Sequence, residues 1–121
     1  MNILIVEDNP ELRKTIKKLV VNSGFDSTIY EADDSSSALA LLCETKPSIT
    51  ILDLNLNGEN GMDLIPEIKN IYGSRVIVLT NESSPAIRKK CLKIGADFFL
   101  DKSMEFDKVR SSIKSLLPSE N

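Results

Sequence analysis

Short aliphatic runs alternate with amphipathic stretches from one end of this chain to the other, and few folds accommodate that rhythm. The runs are Ile3 to Val6, Ser27 to Glu31 (the weakest), Ile49 to Leu52, Val76 to Leu79 and Phe98 to Leu100. Three of them are almost continuously aliphatic. Strands read this way when both faces of a parallel sheet are covered, whereas a half-wet antiparallel sheet alternates polar and apolar residues. Between the runs, apolar residues recur at helical spacing: Leu12, Ile16, Leu19 and Val20; Ala38, Leu41 and Leu42; Leu64, Ile65, Ile68 and Ile71; Ile87, Cys91 and Ile94; Phe106, Val109, Ile113 and Leu116. Asn9-Pro10 and Ser84-Pro85 each set a capping side chain before a proline at the first helical position. Gly24 and Gly95 fall where a helix is expected to end.

Five strand–helix units with right-handed crossovers predict an α/β chain, a doubly wound five-stranded parallel sheet with helices on both faces. With 121 residues and no repeat, low-complexity tract or Gly/Ser linker, the expectation is one domain over residues 1–121.

In such a sheet, ligands bind beyond the carboxyl ends of the strands. The residues that end the runs are Glu7-Asp8, Asp53, Thr80 and Asp101-Lys102. The fold gathers them on one edge. Carboxylates that converge there repel one another. A hard cation relieves the repulsion, and Mg²⁺ prefers one or two carboxylates, several waters and a phosphate oxygen. Lys102 adds a compact, mobile charge and Thr80 a hydroxyl. Such a set serves phosphoryl transfer to a carboxylate, which needs a positioned nucleophile and stabilised charge on the transferred oxygens. Singly, each residue has a plainer role as a helix cap, a loop aspartate or a solvated lysine. Asn9 and Ser84 are the better-placed caps, however, which leaves Asp8 without a structural task.

Other features narrow the field. Histidine is absent, which excludes a histidine base, metal ligand or phosphocarrier within the chain. The formal net charge of −3 gives no argument for direct nucleic-acid binding. No apolar run is long enough to span a membrane, and the start lacks a signal-peptide pattern, so a cytoplasmic protein is expected. Cys43 and Cys91 lack metal-type spacing and are expected to be reduced core residues.

The chain resembles the receiver domain of two-component response regulators over essentially its whole length. The landmarks are Ile3-Leu4-Ile5-Val6-Glu7-Asp8-Asn9, Ile51-Leu52-Asp53 with Gly61 eight residues on, Val78-Leu79-Thr80, Gly95-Ala96-Asp97 and Leu100-Asp101-Lys102. The resemblance implies a flavodoxin-like sheet of order 2-1-3-4-5. It implies that Asp53 accepts a phosphoryl group from a histidine kinase or phosphotransfer protein, without separate substrate turnover. Asp8 would bind Mg²⁺ directly, with Asp53 also in the metal set, Glu7 through a water and Asn55 through its backbone carbonyl. Thr80 and Lys102 would hold the phosphoryl oxygens. Phe99 falls at the family's switch aromatic. Phosphorylation would draw Thr80 and the aromatic inward and remodel the face of the fourth helix, fifth strand and fifth helix for a downstream protein. That face runs from about Ser84 to Leu117 and carries Arg88, Lys89, Lys90 and Lys93; the first helix, a common kinase contact, offers Arg13, Lys14, Lys17 and Lys18. Both basic sets also suit an ordinary solvated helix face.

Three positions depart from the family pattern. Ser103 replaces a common proline after the lysine, which argues against a cis bond there and offers a cap for the last helix. Asn57 stands where a proline often follows the acceptor. Asn81 replaces a small residue and narrows access to the acceptor. Asn55 and Glu82 occupy the positions that tune phosphoryl lifetime, and the pairing resembles single-domain chemotaxis regulators with a short-lived phosphoryl state. Since only Pro118 to Asn121 follow Leu117, no output domain is expected. Two rival readings are weaker. A haloacid-dehalogenase-type phosphatase needs an acid where Asn55 stands. A receiver-like module that is never phosphorylated usually lacks the acidic pair, the acceptor or the lysine.

Overall fold

The structure, a computed structural model, describes residues 1–117. β1 (Asn2–Val6), β2 (Thr28–Ala32), β3 (Ile49–Leu52), β6 (Arg75–Thr80) and β7 (Phe98–Asp101) form one sheet in the order β2-β1-β3-β6-β7, and every pairing is parallel. Five helices connect or follow these strands: α1 (Pro10–Asn22), α2 (Ser35–Thr45), α3 (Leu64–Asn70), α4 (Pro85–Lys93) and α5 (Val109–Leu116). The expected strand order and parallel pairing are therefore borne out.

The alternation of side chains along each strand sorts the core into two halves. Leu4, Val6, Leu52, Val76 and Val78 pack with Ala38 and Leu42 of α2, Ile65 and Ile68 of α3 and Cys91 of α4. Ile3, Ile5, Ile49, Ile51, Ile77 and Leu79 pack on the other face with Ile16 and Val20 of α1 and Val109 and Ile113 of α5. Each fully buried aliphatic side chain contributes roughly 1.5–3 kcal/mol. The long runs are aliphatic because both faces are covered.

The caps sit where the sequence places them. Asn9 Oδ1 accepts from the N–H groups of Glu11 (3.0 Å) and Leu12 (3.2 Å), and Ser84 Oγ accepts from Ile87 N–H (3.3 Å). Gly24 and Gly95 follow α1 and α4 with φ of +81° and +128°.

Some expectations need correction. Cys91 is buried but Cys43 is exposed on α2, and both are free thiols. One residue past Leu42 is about 100° round the helix, away from the core stripe. Ser103 does not cap the last helix. Its N–H and hydroxyl are both taken by Asp101 Oδ1, at 2.8 and 2.6 Å, and α5 starts only at Val109, after a 3₁₀ turn over Phe106–Lys108. No peptide bond among the described residues is cis, which agrees with the reading of Ser103.

One element went unforeseen. β4 (Asn55–Leu56) and β5 (Glu59–Asn60) form a small antiparallel hairpin. Its two-residue turn is Asn57-Gly58, with φ of +52° and +86°. Both left-handed values suit a primed hairpin turn, for which Asn-Gly is the usual pair.

Candidate functional site

β1 and β3 are neighbours at the centre of the sheet, so the residues just past their ends meet at its carboxyl edge. The ladder continues one residue beyond each strand: Glu7 N–H donates to Ala32 O and Asp53 N–H to Val6 O, both at 3.0 Å. β7 delivers Lys102 to the same edge, where its N–H donates to the Thr80 carbonyl at 3.0 Å. Carboxylate oxygens of Glu7, Asp8 and Asp53 lie within 4.8 Å of one another.

Lys102 bridges this cluster. Its Nζ donates to Asp53 Oδ2 at 2.9 Å and lies 2.7 Å from Glu7 Oε1. The second contact is an ion pair with poor alignment, so Glu7 Oε1 is buried without a well-formed hydrogen bond. Glu7 is 1% exposed and Asp53 5%, which leaves protein groups to satisfy these charges. A buried carboxylate oxygen without a hydrogen bond, beside two further carboxylates, is the oxygen-rich donor set that hard divalent cations take. The residues fit such a cation.

The charges shape one another. Burial pushes the Glu7 carboxyl up to about 7 against the pull of the Lys102 ammonium, and the Asp53 charge adds to the rise. Burial also raises Asp8, but the Asn57 amide and the Glu7 carboxyl outweigh it and hold Asp8 below its usual range. Lys102 loses some basicity to burial, yet the Glu7 and Asp53 carboxylates beside it hold it above its ordinary value.

A pH prediction follows from Glu7. Its folded value of about 7 lies above its ordinary 4.5. The protonated form therefore stabilises the fold fully below the lower value, and that contribution is lost as pH rises through the upper one. Without divalent cations, stability is expected to fall by on the order of 3 kcal/mol between pH 5 and 8. Urea unfolding across that range measures it. Glu7→Gln should flatten the profile; a wild-type profile already flat would refute the assignment.

The other expected residues fall around the cluster. Asn55 N–H donates to Asp53 Oδ1 at 3.3 Å. Thr80 is fully buried, and its Oγ1 accepts from Glu82 N–H at 3.2 Å. Asn81 and Glu82 are exposed. Phe99 is only 2% exposed, in the core half that includes Val78, Cys91 and Ala96. The Arg88 guanidinium lies 5.6 Å from its ring centroid, within cation–π range. Of the basic residues on α1, Arg13 is engaged by Glu31 (3.3 Å) and by the Glu7 carbonyl (2.9 Å), and Lys17 by Glu31 (3.5 Å). Lys14 and Lys18 are exposed, as are Lys89, Lys90 and Lys93 on α4.

Sequence reasoning missed two participants. Asp8 does have a structural partner: its Oδ2 accepts from the N–H of Asn57, at 3.0 Å, from the hairpin turn. The Asn57-Gly58 dipeptide was the available signal. Glu105 accepts from Arg88 (3.2 Å), Lys108 (3.2 Å) and the Asp101 N–H (3.3 Å), which ties α4 to the end of β7. No periodicity marks such a residue.

A family model described as the response regulator receiver domain matches residues 3–114. The chain belongs to that family. This receiver domain is 31% identical over 118 residues to the transcriptional regulatory protein TctD of Salmonella typhimurium, covering 97% of this chain and 52% of that protein. It is 32% identical over 115 residues to the transcriptional regulatory protein CpxR of Klebsiella pneumoniae, covering 95% and 48%. It thus spans about half the length of these curated relatives. Among solved structures, it resembles the signal receiver domain of a DNA-binding response regulator from Colwellia psychrerythraea, with a TM-score of 0.88, 26% identity and coverage of 96% and 97%. The receiver fold and the place in two-component signalling are therefore those the sequence implied. No helix among the described residues is long and apolar enough to cross a membrane.

Proposed function

We propose that this receiver domain takes a phosphoryl group onto Asp53 from the phosphohistidine of a kinase or phosphotransfer protein, with Mg²⁺ as cofactor. The observation that carries the reading is the nearly buried Asp53 carboxylate, hydrogen-bonded to Lys102 at 2.9 Å and set beside Glu7 and Asp8. A carboxylate oxygen of Asp53 forms a bond to phosphorus as the bond from phosphorus to the donor's imidazole nitrogen breaks. The electron pair leaves with the imidazole, which takes a proton. Asp8 and Glu7, with the Asn55 carbonyl, would hold the cation. When bound, Mg²⁺ supplies charge neutralisation at the phosphoryl oxygens and among the carboxylates.

The chain's own residues do the rest. Asn55 N–H and Lys102 each donate to one oxygen of Asp53 and so fix the carboxylate plane. Lys102, released in part from Asp53 as the carboxylate becomes an acyl phosphate, is placed to bond the incoming oxygens. The Thr80 hydroxyl is a second donor once it turns from Glu82 N–H toward the new anion. Phe99 already points inward, so this reading puts the switch in Thr80 and the loop after it, with the Arg88–Glu105 contact transmitting the change to α4. The exposed lysines of α1 and α4 are the contact surfaces for the donor and for a downstream protein. Asn55 and Glu82 shorten the phosphoryl lifetime, and the cytoplasm is the compartment that suits such a donor.

Incubation with a small-molecule phosphodonor and Mg²⁺, read by intact mass, tests the reading. One added phosphoryl group is expected on wild type and none on Asp53→Asn. Modification that survives the substitution, or none at all, would refute it.

A further inference from the structure

We infer that the backbone amide of Asn57 is a positioning group for the cation site, and that asparagine stands here because the position needs both an N–H and a left-handed backbone. The inference rests on the reading that the acidic cluster binds Mg²⁺.

Asp8 comes from the loop after β1, next to Glu7, which also acts on its carboxylate. The contact that ties that carboxylate to another segment is remote in sequence, the 3.0 Å hydrogen bond from Asn57 N–H to Asp8 Oδ2, across 49 residues. The amide sits at the tip of the hairpin, where residues 57 and 58 both adopt positive φ, +52° and +86°. Asparagine tolerates that conformation better than most residues with a side chain. Proline could neither donate nor adopt it, because its ring fixes φ near −65° and it has no N–H.

The hairpin that carries the amide is anchored. Leu56 is fully buried, and Glu59 Oε1 accepts from Ser35 N–H at 3.3 Å at the start of α2. Gly61 N–H closes the segment onto the Leu54 carbonyl at 2.6 Å. The donor is thus held by groups that do not themselves belong to the acidic cluster. A fixed amide on a ligating carboxylate orients it, and loss of such a partner typically weakens metal affinity about 10- to 100-fold.

The test measures Mg²⁺ affinity by calorimetry, without any phosphodonor. Asn57→Pro should weaken binding about tenfold or more. Asn57→Gly, which keeps both the N–H and the positive φ, should bind like wild type. Replacing residue 57 by its α-hydroxy analogue, which exchanges the amide for an ester, should reproduce the proline loss while changing one atom. That ester variant decides the matter even if the proline disturbs the hairpin. Wild-type affinity in the ester variant would overturn the inference while leaving the cation site intact. A glycine variant as weak as the proline variant would also overturn it, because the side chain would then be the active part. Absence of Mg²⁺ binding to wild type would overturn both this inference and the reading beneath it.

Discussion

Lys102→Met is expected to bind Mg²⁺ more tightly than wild type and to accept a phosphoryl group roughly 100-fold more slowly or worse. The two effects have one origin. The ammonium lies 2.9 Å from Asp53 and 2.7 Å from Glu7, so it competes with any cation for the same carboxylates. Removing it leaves three acids to be neutralised by the metal alone. In the proposed reaction the ammonium is also the positive group that follows charge from Asp53 onto the transferred oxygens, and methionine cannot replace it. In metal-free protein, loss of one partner from a buried ion pair costs about 3–5 kcal/mol when the remaining charge cannot escape. Glu7 has an escape, because protonation removes its charge. Its value, already about 7, rises further without the lysine. The variant should therefore lie close to wild type near pH 6 and fall well below it at pH 8, and Mg²⁺ should restore it. Calorimetry, intact-mass time courses and urea midpoints at the two pH values check each part. A variant with unchanged metal affinity would remove the lysine from the role assigned to it.

The second large effect is expected at Gly61. Its φ is ordinary, so the reason for glycine is space. A Cβ there would overlap the carbonyl oxygen of Asp53 and sit 3.0 Å from Leu54 Cα and 3.1 Å from the Leu54 carbonyl oxygen. All three are backbone atoms, which cannot swing aside as a side-chain end can. Gly61→Ala should cost about 1–3 kcal/mol by overpacking, which corresponds to a melting point lower by roughly 5–15 °C. It should also weaken Mg²⁺ binding, because the backbone forced to move is that of Asp53 and Leu54. Gly73→Ala is the control. Its φ of +66° strains an alanine, but no atom lies within 4 Å of the added Cβ. That variant should lose about 1–2 kcal/mol of stability and keep its metal affinity. Equal metal affinity in the two variants would show that Gly61 serves the fold alone.

The sheet was legible because burial on both faces forces continuous aliphatic runs, and Ile3 to Val6 admits little else. The acidic cluster was legible because parallel strands deliver their ends to one edge, which makes Glu7, Asp8, Asp53 and Lys102 neighbours by topology. What escaped was local. Two-residue strands such as Asn55–Leu56 are too short to show any period, so the hairpin was visible only through Asn57-Gly58. Ser103 looked like a cap until Asp101, two residues earlier, was seen to take both its donors. Cys43 lies one step round the helix from Leu42, a distinction that a short apolar pattern does not resolve. The sequence placed Phe99 correctly on its strand, but which way its ring points depends on packing with Ala96, Cys91 and Arg88 from other segments.

The two bonds that shape the acidic cluster, Lys102 to Asp53 and Asn57 to Asp8, each join residues 49 positions apart. Contacts of that separation carry a loop-closure cost that helices and local turns do not, so the cluster waits on the strands that carry it. It exists only when β1, β3 and β7 are all in register. A chain still being synthesised, with Lys102 inside the ribosome, has an aspartate but no receptive pocket. On the proposed function, signal competence therefore arrives only with the completed sheet.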